Sequence, residues 1–288
     1  MKLMMFEKGQ GQRLGLIEGS TVIDLGAHAG ALPKDLMSLI AAGPGALAQA
    51  KTAAAKAPAS SKLALSSVKP ALPITPPGKI ICVGLNYALH AREGGHPIPT
   101  YPSFFLRVPT SLIPAGAPVI RPRVSIELDY ECELTIVIGR KGRHIPESSA
   151  LEYVFGYTLF NDVSVRDFQR KTTQWTPGKN FDATGPLGPM VVTADALPQG
   201  AAGLRITTRV NGETMQDSNT SDLIFPVPRI VALLSEFMTL EPGDVIATGT
   251  PSGVAFARKP PTWLKPGDTV EVEVEGIGVL SNPVREET

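Results

Sequence analysis

Side chains capable of chemistry fall into five short clusters. The first is the acid-rich stretch from Glu127 to Glu133. Residues two apart along a strand share a face. The run YECELTIVI therefore turns Tyr130, Cys132, Leu134, Ile136 and Ile138 to one side as core. If the strand starts early enough, the other side carries Glu127, Asp129, Glu131 and Glu133, then Thr135 and Val137. Carboxylates packed this closely repel unless protonated or neutralised. A hard divalent cation with oxygen ligands would neutralise them. The chain also holds its own counter-example: TVEVEVE sets Glu271, Glu273 and Glu275 opposite valines, the pattern of a solvated sheet face. Acids at this spacing leave both readings open.

In FNDVSVRDFQ, Asn161 and Asp162 follow an apolar strand and precede a helix, which suits metal ligation and equally suits helix capping by Asp162 or Ser164. Arg166 and Gln169, three apart, share a helix face and could meet an anion or a carbonyl, or simply face solvent. In NYALHARE, His90 and Glu93 are neighbours on one helical turn. A carboxylate beside an imidazole fixes its tautomer and raises its basicity, as activation of water requires, although a surface pair would read the same. Lys179 sits in the Gly/Pro-rich TPGKNFDATGP. ATGTPSGV places Thr248 and Thr250 around Gly249, a turn able to present N–H groups and a hydroxyl to a carboxylate. It lacks the GK[ST] of a phosphate loop.

The elements that must position these clusters are mostly strands. Residues 2–25 read as short strands joined by glycine turns, and residues 34–57, rich in alanine, as one or two helices. Pro70, Pro73, Pro76 and Pro77 forbid helix and suit an extended linker, placing a domain boundary near residue 70. A small N-terminal domain, 1–70, thus precedes a larger one, 71–288. In the latter, KIICVGL, YECELTIVI and VFGYTLF read as strands, a helix is expected to begin near Ser164, and PRIVALLSEFMT repeats its apolar residues at helical spacing. Leu-x-Pro-Gly-Asp occurs at 240–244 and at 264–268, each time turning the chain into a strand. This is a β-rich α+β pattern, not alternating βαβ.

Composition narrows the function. With 288 residues and 43% hydrophobic content, the chain can bury a large core. Lys and Arg together number 27, as do Asp and Glu, so nothing attracts a polyphosphate and nucleic-acid binding is not expected. No apolar run approaches the roughly 20 residues of a membrane span. Both cysteines, Cys82 and Cys132, lie in apolar runs and read as reduced core residues of a cytoplasmic protein.

Taken in order, N-x-x-x-H-x-x-E, D-Y-E-x-E-L, N-D-V-S-x-R-D-x-Q, G-K-x-F-D, V-N-G-E, L-x-P-G-D-V-I-x-T-G-T-P-x-G-V and the closing L-K-P-G-D resemble the fumarylacetoacetate hydrolase superfamily, from about Lys79 to the C-terminus. The resemblance implies a mixed β-sandwich roll with a small N-terminal domain, and commonly a homodimer. It implies Mg²⁺ or Mn²⁺ held by Glu131, Glu133 and Asp162, a water-activating dyad of His90 and Glu93, and oxyanion support from Lys179. Arg166, Gln169 and Thr250 fall on substrate-contacting positions. Val83 stands where fumarylacetoacetases proper have a further acid, so the chain resembles the shorter bacterial branch. The expected activity is metal-dependent hydrolysis of a carbon–carbon bond in a 2,4-dioxo acid, releasing a pyruvate and a carboxylic acid. The alternative is isomerisation or decarboxylation of a hydroxymuconate- or oxaloacetate-type diacid, which shares the same enolate.

Overall fold

The strand Cys132–Ile138 organises the molecule. In the computed structural model, which describes residues 1–288, Cys132, Leu134, Ile136 and Ile138 pack into one apolar cluster and Val137 into another. A strand buried on both faces belongs at the centre of a sheet. It pairs antiparallel with Val154–Asn161 on one side and Val245–Ala247 on the other. Beyond Val245–Ala247 come Ile80–Gly84, in parallel, and the edge strand Ser103–Leu106. Beyond Val154–Asn161 come Gly185–Thr193 and then the N-terminal strands Lys2–Lys8, Gly11–Glu18, Thr21–Asp24 and Lys62–Ala64. Residues on both sides of position 70 thus share one large sheet. The Pro-rich segment lies against it: Pro70 is opposite Phe6, and Ala71 and Ile74 are buried.

A second sheet runs Glu213–Asn219, Arg205–Val210, Thr269–Val274, Gly278–Glu286, Val119–Arg121. Ile206, Val272, Val274 and Leu280 face the first sheet and close the core over Cys132, Leu134 and Tyr157. The helix Val227–Phe237 adds Val227, Ile230, Val231 and Leu234, the spacing of one buried helical face. Each such residue, once fully buried, contributes about 1.5–3 kcal/mol. On the far face of the first sheet, helices Leu36–Ala41 and Pro44–Ala55 cover Leu3, Met5, Leu14 and Leu16. No helix is long and apolar enough to cross a membrane. The β-rich α+β architecture is the one expected from the sequence.

Two local differences matter for the site. The strand expected from Tyr130 begins at Cys132, and the preceding Leu128–Asp129 pairs instead with Ser164–Val165. The break occurs at Glu131, whose N–H donates to Asn161 Oδ1, 2.9 Å, while its carbonyl accepts from the Asp162 N–H, 2.9 Å. Because Ser164 and Val165 are extended, the helix expected there shrinks to the single turn Arg166–Gln169.

Candidate active site

Glu131, Glu133 and Asp162 converge at the end of the central strand pair, with one carboxylate oxygen of each lying within 4.8 Å of the others. All three are buried. Cys132 is opposite Asn161 in the ladder, so the strand ends carry Glu133 and Asp162 to one place. The kink at Glu131 brings its side chain round to join them and separates Asp129. That carboxylate turns away and accepts from the Ala255 N–H, 2.7 Å, the Phe256 N–H, 3.1 Å, and Arg166 Nε, 2.8 Å. Glu127 leaves the group altogether for Arg170.

Three cations answer the buried acids. Lys179 Nζ lies 2.7 Å from Glu131 Oε2 and 2.6 Å from Asp162 Oδ2. Arg166 Nη2 lies 2.6 Å from the other oxygen of Glu131. Arg107 Nη1 donates to Asp162 Oδ1 at 2.6 Å, with Ser111 and Thr184 holding the rest of its guanidinium. Burial alone would push Glu131 up, but Lys179 and Arg166 outweigh it and hold the carboxyl at about 2. Glu133 meets no cation at contact distance. Its only hydrogen bond is from the Gly249 N–H to Oε2, 2.8 Å. Burial, followed by the charges of Asp162 and Glu131, raises it well above the usual carboxylate range. Lys179 is lowered by burial but raised more by Asp162 and Glu131, and so stays charged.

This donor set fits a hard divalent cation. It consists of buried carboxylate oxygens only, and burial together with the neighbouring acids raises Glu133 well above the usual carboxylate range, a cost that added positive charge would relieve. It is an acidic metal-binding triad.

The dyad forms as its spacing predicts. On the helix Ala88–Glu93, His90 Nδ1 is 2.8 Å from Glu93 Oε1, and Glu93 Oε2 accepts from the Gly253 N–H at 2.9 Å. Glu93 is thus anchored before it orients the ring, and Nε2 is the imidazole nitrogen left for the cavity. The TGT turn divides its groups. The Gly249 N–H faces Glu133 and Thr248 closes on the Leu134 carbonyl, so these two buttress the strand and its carboxylate, while Thr250 lines the cavity. Gly249 has φ of +98°, and a Cβ there would lie 2.8 Å from Asn86 Cβ, which requires glycine.

These groups line one cavity of about 410 Å³. His90, Glu131, Glu133, Asp162 and Lys179 occupy its floor and side, with Thr250, Arg166 and Gln169 in its wall. Thr250 Oγ1 accepts from Gln216 Nε2 at 2.8 Å, and Gln169 Oε1 from Arg166 Nη1 at 2.9 Å. Phe105, Trp175 and Phe256 supply apolar wall, as does Val83. Trp175 reaches in only because Gly84 has no side chain: a Cβ would sit 2.1 Å from its ring. Glu93, behind His90, is the one expected site residue that does not line the cavity.

Sequence reasoning missed Arg107, the buried partner of Asp162. The available signal was an arginine directly after the apolar strand SFFL, since a cation in such a place needs an acid. The anchoring role of Asp129 was also missed, because strand alternation grouped it with the other acids.

The Fumarylacetoacetate (FAA) hydrolase C-terminal family model matches residues 79–285. The chain is 41% identical over 290 residues to the mitochondrial oxaloacetate tautomerase fahd2 of Xenopus laevis, covering 99% of this chain and 90% of that protein. The crystal structure of 5-carboxymethyl-2-hydroxymuconate delta-isomerase from Mycobacterium smegmatis matches with a TM-score of 0.78 and 35% identity over 100% of both chains. Maleylpyruvate hydrolase from Sphingobium sp. SYK-6, in complex with manganese (II) ion and pyruvate, matches with a TM-score of 0.83 and 30% identity over 100% of both chains.

Proposed function

The chain belongs to the fumarylacetoacetate hydrolase family, and we propose that within it this member interconverts the enol and keto forms of a small 2-oxo diacid of the oxaloacetate type. Mg²⁺ or Mn²⁺ would be held by Glu131, Glu133 and Asp162. The observation that carries the reading is the pairing, in one cavity, of a single oriented base with a buried acid triad: His90 Nδ1 is 2.8 Å from Glu93, and the triad lies in the same wall. Proton transfer between oxygen and carbon needs only those two parts. Similarity to an oxaloacetate tautomerase along 99% of the chain supports it. The preference between the two sequence expectations therefore reverses: isomerisation leads, and hydrolysis of a 2,4-dioxo acid follows.

The residues would work as follows. Glu93 accepts a hydrogen bond from Nδ1–H and leaves Nε2 of His90 as a base toward the substrate. His90 takes the enol hydroxyl proton and, as an imidazolium stabilised by Glu93, delivers it to the adjacent carbon. One O–H bond breaks and one C–H bond forms, with no net proton change. Lys179 holds Glu131 in its charged form and pairs with Asp162, and its positive charge in the cavity lining favours negative charge on the substrate oxygen. A bound divalent cation supplies Lewis acidity that stabilises the enolate.

Hydrolysis remains the second reading because the same dyad can activate water, and a structurally similar relative is a maleylpyruvate hydrolase. The test is enol-oxaloacetate in D₂O with Mn²⁺, followed by NMR. The expected result is accelerated ketonisation with deuterium at carbon 3 and an intact carbon skeleton. Dominant carbon–carbon cleavage of a 2,4-dioxo acid with ¹⁸O uptake from labelled water, and no acceleration of ketonisation, would overturn the assignment.

A further inference from the structure

We propose that Arg170 reads the distal carboxylate of the substrate and so makes the site prefer 2-oxo diacids to 2-oxo monoacids. This rests on the reading of the cavity as a 2-oxo acid site. Three Lys and Arg side chains line the cavity: Arg166, Arg170 and Lys179. Lys179 spends its ammonium on three acceptors, Glu131 Oε2, Asp162 Oδ2 and the Asp162 carbonyl, at 2.7, 2.6 and 3.2 Å. Arg166 donates from Nε to Asp129 and from Nη1 to Gln169, and its Nη2 lies against Glu131. The charges of both cations are thus already answered by buried carboxylates.

Arg170 differs. Its Nε donates to the Arg166 carbonyl at 3.1 Å and its Nη2 to Glu127 Oε2 at 2.5 Å, which leaves Nη1 without a protein partner. The side chain is 57% exposed, so it stands where the cavity meets solvent. It lies one helical turn beyond Arg166 on the same face. Both guanidinium groups rest on the Phe256 ring, at 4.7 and 6.0 Å from its centre, which fixes the direction of Arg170. A substrate anchored by its 2-oxo acid end at the triad presents its far end toward this mouth. The Arg170–Glu127 pair is exposed, and such pairs contribute little on their own. A substrate carboxylate can therefore take Nη1 or share the fork.

The experiment measures binding directly, through the fluorescence of Trp175 in the cavity wall, with the Mn²⁺-loaded full chain. Pyruvate serves as the monoacid, and oxaloacetate and 2-oxoglutarate as diacids. Arg170→Gln is expected to weaken diacid binding about tenfold or more while pyruvate changes less than about twofold, the cost of one charge-assisted hydrogen bond. Arg170→Lys should recover part of the loss. Glu127→Gln should leave diacid binding unchanged or tighter, since it frees the fork. Equal loss for monoacid and diacid, no loss, or a matching loss in Glu127→Gln overturns the inference and makes the pair structural. Wild-type protein that binds neither class overturns the functional reading as well.

Discussion

Replacing Glu133 by glutamine should make the metal-free protein more stable and the metal-loaded protein no better. Glu133 is the one member of the triad with no cation against it, and its carboxylate oxygens lie within 4.8 Å of those of Glu131 and Asp162. Two unit charges at that distance repel by about 3.5 kcal/mol at an effective dielectric of about 20. Lys179 offsets much of this. Glutamine keeps an oxygen for the Gly249 N–H, so the single hydrogen bond survives. A net gain of about 1–3 kcal/mol follows at alkaline pH, where the wild-type carboxyl must ionise. The sign is set by linkage. The folded-state pKa is raised above the unfolded value of about 4.3, so the native state binds the proton more tightly. The contribution of Glu133 to stability is fully present below the unfolded pKa and is lost as pH rises through the folded pKa. The advantage of glutamine should therefore be small near pH 5 and grow toward pH 9. Urea unfolding in excess chelator across that range measures it. Mn²⁺ at a hundredfold above its Kd should then stabilise the wild type by about 2.7 kcal/mol and leave the variant nearly unmoved. A variant less stable than wild type in chelator at every pH, or one that keeps the Mn²⁺-dependent gain, would refute the assignment of Glu133 as a ligand held apart by repulsion.

Three further outcomes are expected. His90→Ala should retain Mn²⁺ affinity, read by calorimetry, and lose at least about a hundredfold in ketonisation rate; Glu93→Gln should lose less, and wild-type turnover in His90→Ala would require another base. Arg107→Met should destabilise the fold by about 3–5 kcal/mol, because Asp162 loses its buried partner at 2.6 Å; a denaturation midpoint equal to wild type would show the pair to be dispensable. Gly249→Ala should cost about 2 kcal/mol or more and weaken Mn²⁺ binding, since the new Cβ at φ +98° collides with Asn86 and displaces the Glu133 support; a crystal structure of the variant with the turn unmoved would contradict this.

Local periodicity determined a good deal. Alternation along Cys132–Ile138 decided which side chains are core and set Glu133 on the opposite face. Helical spacing of three decided that His90 and Glu93 meet. The amphipathic spacing in Val227–Phe237 decided its buried face. Such features depend on neighbours within one turn or one pleat, which sequence encodes directly. The fate of each acid did not. Glu127, Asp129, Glu131 and Glu133 share one spacing, yet the kink at Glu131 sends the first to the surface, the second to Arg166 and two backbone N–H groups, and only the last two to the triad. Glu271 and Glu273 repeat the pattern and end in a half-exposed pair with Arg209 on the second sheet. The difference lies in partners brought from far along the chain: Arg107 reaches Asp162 across 55 residues, Lys179 reaches Glu131 across 48, and Gly249 reaches Glu133 across 116. Ionisation and charge pairing in a buried cavity follow distance and burial in space. Those quantities exist only after the sheet has closed, and so the tertiary structure alone decides which carboxylate is paired with a cation and which is left without one.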